Sequence, residues 1–160
     1  MSVIRISPRW KHFCAMMLIT FSADQSLAAN DETLVRILTR AFVAQNLTIY
    51  CAQFNPEILR ITTGKQGDIS QFAQHIREKI IDGLPPEEAG LVVQRSADAA
   101  RAGALMAIRR FYQADREREK QLISAWCTQS IPNDVMAYVR FHDERHDMLM
   151  GMIASAKAPM

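Results

Sequence analysis

The sequence predicts an all-α protein, a compact orthogonal or bundle-like array of five or six helices closed by one disulfide. Three observations point there. Apolar residues beyond residue 29 recur three and four apart, which is the helical rather than the strand period. Capping and breaking groups such as Asn55-Pro56, Pro85-Pro86-Glu87-Glu88 and Pro132-Asn133-Asp134 divide those stretches. Two cysteines, Cys51 and Cys127, remain once an amino-terminal leader is set aside.

The leader is read from three adjoining regions. Arg5, Arg9 and Lys11 are basic, Phe13 to Phe21 is apolar, and Ser26-Leu27-Ala28-Ala29 offers a small-residue exit. The apolar run falls short of the ~20 residues that span a bilayer. Residues 1–28 are therefore expected to be a signal peptide and residues 29–160 a single helical domain, periplasmic or secreted, with no membrane span left after processing. The competing account is a buried amino-terminal helix or strand of a cytosolic domain, and Asp24 and Gln25 weigh toward it.

Charge narrows the partners. Removing residues 1–28 takes three of 19 basic and one of 17 acidic residues, leaving 16 of each. The sequence pI of 8.5 is mostly a property of the leader. A mature chain without net charge lacks the cationic surface that replaces counterions on DNA or RNA, so no nucleic-acid partner is expected. Arg109, Arg110, Arg116, Arg118 and Lys120 make the densest basic run, but Asp115, Glu117 and Glu119 interleave with them, as on a solvated helix face.

Cys14 departs with the leader, and in an oxidising compartment the remaining pair reads as a disulfide. Cys51 and Cys127 stand 76 positions apart, too far for a CxxC redox motif or a compact zinc knuckle. Closing such a loop stabilises by at most about 4.5 kcal/mol on chain entropy, with typical values of about 2 to 4. The alternatives are two separate buried thiols, or a cysteine nucleophile served by a histidine.

In chain order, the first helix opens at Asn30 or Asp31 with Glu32 in its first turn. It continues through Leu34, Ile37, Leu38, Ala41, Phe42 and Gln45, and then through the locally strand-like LTIYC to Cys51. Asn55-Pro56-Glu57 starts a short helical turn. Asp68 caps the next helix, whose buried stripe is Ile69, Phe72, Ala73, Ile76 and Ile80, with Gln74, Arg77 and Lys79 facing water and Gly83 ending it.

Pro85 to Glu88 begins a helix with small residues, Ala89, Val93, Ser96, Ala100, Gly103 and Ala107, along one side. Small side chains admit a close neighbour, so this is expected to be the central packing helix. Gly103 costs a helix about 1 kcal/mol relative to alanine, and close contact there is the expected compensation. Arg95, Asp98 and Arg101 exclude a bilayer span. One helix from Glu87 through Cys127 is too long for so small a domain, so a break is expected near Tyr112 to Asp115. Leu122, Ile123, Trp126 and Cys127 dock the helix that follows. Pro132 opens the last helix, running to about Ala156, with Arg140, Asp143, Glu144 and Asp147 wet and Val135, Tyr138, Val139, Leu149 and Ile153 buried.

Liganding side chains concentrate in FHDERHDMLMGM, from Phe141 to Met152. His142 and His146 are four apart, so a continuous helix points both rings the same way. Met150 follows one turn later. Two such imidazoles are a common half-site for zinc or copper, and the thioether favours copper, above all Cu(I). Asp143 takes the place of the glutamate in HExxH, which counts against a zincin. Asp143 and His146 match the carboxylate-x-x-His spacing of di-iron bundles, but a second such element is lacking, because Phe72 stands three before His75. The alternative is histidines that are structural or on the surface.

No haem-attachment CxxCH, P-loop, GxGxxG or GxSxG stands elsewhere. The sequence thus points to an exported, noncatalytic, chaperone-like binding or accessory protein, without a cofactor, whose partner is another exported protein. A periplasmic copper or zinc protein built on His142, His146 and Met150 is the alternative, and a secreted hydrolase the third.

Overall fold

A computed structural model describes residues 29–60 and 67–158 of the chain. The expected leader, with Cys14, lies outside the described residues. The fold is an all-helical bundle: α1 (Ala29–Cys51), a 3-10 turn (Pro56–Arg60), α2 (Ile69–Ile81), α3 (Pro86–Arg109), α4 (Arg116–Gln129), α5 (Ile131–Glu144) and α6 (His146–Lys157). Because α5 and α6 are two arms of one helix broken at Arg145, the six pieces make five helices.

The centre is α1, which packs against α2, α3, α4, α5 and α6. Its composition requires this. Leu34, Leu38, Ala41, Thr48 and Cys51 are fully buried, while Val35, Ile37, Phe42, Ala44 and Leu47 on its other sides pack against the same core. A helix whose apolar residues reach well beyond one narrow stripe can bury several sides at once, and here Asp31, Glu32 and Arg36 keep part of it in water. The strand-like LTIYC stays helical, and the buried Thr48 hydroxyl donates to the Ala44 carbonyl at 2.8 Å.

The expectation that the helix after Pro85 is central is corrected: α3 packs mainly on α1 and, less, on α2. Its buried line is Val92, Ser96, Ala100, Ala104 and Ile108, leaving Val93, Gly103 and Ala107 half-buried at the edge. The buried line keeps Ser96 and Ala100 of the expected small-residue face, while the larger Leu91, Leu105 and Met106 stay exposed. The Ser96 hydroxyl lies 2.7 Å from the Val92 carbonyl and 3.2 Å from that of Val35, and donates to one at a time. Farther along both helices Gly103 faces Val43, so α1 and α3 run parallel.

Local chemistry starts and stops the remaining helices. Asp68 caps α2, accepting from the N–H groups of Ser70 and Gln71 at 2.8 and 2.9 Å, while the Gln71 side chain accepts from the Asp68 N–H. This reciprocal pairing satisfies donors a helix start leaves open. The stripe Ile69, Phe72, Ala73, Ile76 and Ile80 is buried as expected, and Gly83, at φ 78°, turns the chain out of α2. At the other end of the bundle the expected break separates α3 from α4, and Asp115 caps α4 through the N–H groups of Glu117 and Arg118. Ile123, Trp126 and Cys127 dock α4, but Leu122 is 39% exposed, a correction to its expected burial.

Between α4 and α5 the single residue Ser130 serves as both caps, and Pro132 follows without an N–H to donate. The Asn133 side-chain amide donates to the Gln129 carbonyl at 2.8 Å across the same junction. The final helix is not continuous. Arg145 leaves helical geometry at φ −120°, ψ 27°. At ~100° per residue, the buried pairs Val135/Val139 and Leu149/Ile153 point about 40° apart on a straight helix. Both pairs are buried, one on each side of the break, and that offset is small enough for a single apolar face.

Candidate functional site

Arg145 also divides the expected histidine pair, putting His142 in the last turn of α5 and His146 at the first position of α6. The two rings keep different company. His142 meets Tyr138 edge-on at 4.5 Å, Phe141 at 5.4 Å and Phe72 at 5.8 Å. Burial in that aromatic setting, and then the nearby Arg40 charge, push its imidazole down to about 4, with Asp143 pulling weakly the other way. Burial likewise raises the Tyr138 phenol. At neutral pH His142 is an uncharged imidazole packed like an aromatic residue.

His146 instead stacks on His75 of α2, ring centroids 6.2 Å apart and planes inclined by 28°. His75 Nε2 is buried and has no hydrogen-bond partner. Met150 lies one turn beyond His146 and packs half-buried against the core. Met148 and Met152, one turn apart, are 51% and 44% exposed, on the outer side of α6. Asp143 is half-buried and Asp147 exposed. Among the described residues no group of three or more His, Cys, Asp or Glu is gathered closely enough to hold a metal ion.

Sequence reasoning passed over His75 because its neighbour belongs to a different helix. One signal was present. Between Phe72 and Ile76, His75 borders the apolar stripe of α2, whereas Gln74 faces water. Beside it an open groove of about 420 Å³ is lined by His75, Glu78, Lys79, Ile81 and Asp82.

The disulfide joins Cys51 at the end of α1 to Cys127 near the end of α4, with the Cα atoms 5.0 Å apart. Both cysteines are fully buried. Next to it Phe111 and Trp126 pack at 5.0 Å, and the Arg110 guanidinium lies 4.8 Å from each ring. Both sulfurs are committed to the bond, which leaves no cysteine nucleophile among the described residues.

Fold and site together describe a disulfide-tied helical bundle with a histidine pair spanning two helices. No known family model, curated protein or solved structure matches the chain. Among the described residues no helix is long and apolar enough to cross a membrane.

Proposed function

We propose that the chain is an exported, noncatalytic binding or accessory protein that engages another exported protein through the outer side of α6. The observation that carries this is the exposed pair Met148 and Met152, with Phe141 at the end of α5 also 44% exposed. Unbranched thioether side chains adapt to varied apolar surfaces, which is why methionine recurs on binding faces. Arg145 holds its guanidinium 4.4 Å over the Phe141 ring, adding a charged rim to the apolar side chains. The buried disulfide supports an oxidising compartment, and the leader-like amino terminus supports export.

The test is a photo-crosslinking residue placed at Met148, at Met152, and at exposed Glu87 on α3 as a control, in protein kept in its own compartment. One discrete adduct from both α6 positions, absent from the Glu87 control and lost in Met148→Asp, is the expected result. Equal labelling from all three positions, or none from α6, overturns the proposal.

A further inference from the structure

We propose that the protein forms a homodimer through α3, two copies packing antiparallel along the side turned away from α1. That side is uncovered, because α3 packs mainly on α1 and, less, on α2. Leu91, Leu105 and Met106 lie there, 59%, 46% and 68% exposed. Spacing is the first support. Leu91, Arg95, Asp98, Ala102, Leu105 and Arg109, all exposed, recur in alternating steps of four and three. This is the seam along which two helices pack side by side.

Charge complementarity selects a second copy as the occupant. The first turn of α3 carries Glu87 and Glu88 and its last turn Arg109, with Arg95 and Asp98 midway. Laid parallel in register, two such faces set Arg95 on Arg95 and Asp98 on Asp98, and like charges so placed repel. Laid antiparallel, around a two-fold axis level with Ser96 and Ala97, the face complements itself. Arg95 of each copy meets Asp98 of the other, and the contact occurs twice, as a two-fold interface requires. Within its own chain Asp98 accepts from Arg101 at 3.4 Å through Oδ1, and Oδ2 is the acceptor for Arg95 of the second copy. On either side of that centre Leu91 of one copy packs on Ala102 and Leu105 of the other. Farther out Glu88 comes beside Arg109, and each helix dipole sets its positive end against the negative end of its mate. The outer side of α6 belongs to a different helix. An adduct from Glu87 to a second copy therefore has twice the mass of the chain and is told apart from a partner adduct of α6.

The test is sedimentation equilibrium of the oxidised protein through a dilution series. The mass should rise from one chain to two with concentration. Asp98→Arg and Arg95→Asp should each weaken association by at least about tenfold, because each sets like charges across the seam twice. Both sites are exposed, so the variants should keep the helical circular dichroism of the wild type. Mixed in equal amounts, the two variants should form a heterodimer, since one copy then brings two carboxylates and the other two guanidiniums. Arg95→Asp combined with Asp98→Arg in one chain should restore the homodimer, and Met148→Asp should leave it unchanged. A single-chain mass up to about 1 mM, the weak end of specific association, overturns the proposal. So does a dimer that survives both reversals or is lost in Met148→Asp, or a mixture of the two variants that stays monomeric.

Discussion

The ammonium of Lys157 donates to the backbone carbonyl of Asp82 at 2.7 Å, and to that of Lys79 at 2.8 Å. The last residue of α6 thereby closes the carboxyl end of α2, where unpaired carbonyls and the helix dipole favour a cation. With His146 stacked on His75 at its other end, α6 is fastened to α2 at both ends. Lys157→Met should lower stability by about 1 kcal/mol, the scale of a charge-to-carbonyl bond at a wet surface. Hydrogen exchange should quicken in the last turn of α2 and remain unchanged in α3. A uniform change through the whole bundle would deny the local fastening.

The Cys51–Cys127 bond should resist a water-soluble phosphine while the protein is folded, because neither cysteine is exposed. It should be reduced within the unfolding transition in urea. Replacing both cysteines with alanine should cost about 2 to 4 kcal/mol. Mass spectrometry of alkylated samples follows the first outcome, and denaturant midpoints the second.

Ala100 and Gly103 should respond in opposite directions. Ala100 is fully buried, so Ala100→Leu should destabilise by about 1 to 3 kcal/mol through overpacking. At Gly103 an added Cβ would lie 3.4 Å from Val43 Cγ2, an ordinary contact. Gly103→Ala should therefore stabilise α3 by up to about 1 kcal/mol, the propensity gain. Urea midpoints that shift in the same direction for both would refute the edge position assigned to Gly103.

His142 should make stability depend on pH. Burial first, and then Arg40, lower its imidazole from an ordinary 6.5 to about 4. The unfolded chain therefore takes up this proton before the folded one does. Stability is full above pH 6.5, falls as the pH drops from 6.5 toward 4, and levels off below that. Discounted for water that still reaches the ring, the loss is about 1 to 2 kcal/mol. His142→Leu should flatten this window in urea midpoints measured from pH 7 to 4. An unchanged slope would show that other groups cause it.

Elements set by neighbours in sequence were legible. The α2 stripe and its Asp68 cap need only local spacing, and so does the break before Asp115, where an acidic cap follows a helix already too long. What depended on neighbours in space was not. Arg145 interrupts a helix without glycine or proline, so no local signal in the sequence marks the break. The exchange of α3 for α1 as the central helix has a similar cause. Small residues permit close packing, yet total apolar bulk decides which helix is enclosed. His75 and His146 became a pair only when α2 and α6 were laid side by side.

The place of α1 also sets an order of events. It precedes the other described helices in the chain, and all of them pack on it. While the chain is being made or moved, α1 therefore has an uncovered apolar surface until the segment ending at Lys157 is present. An apolar surface left uncovered for that interval is open to aggregation. A chain cut before His146 should bind hydrophobic dyes and be digested readily, whereas the whole chain should collapse in one cooperative step.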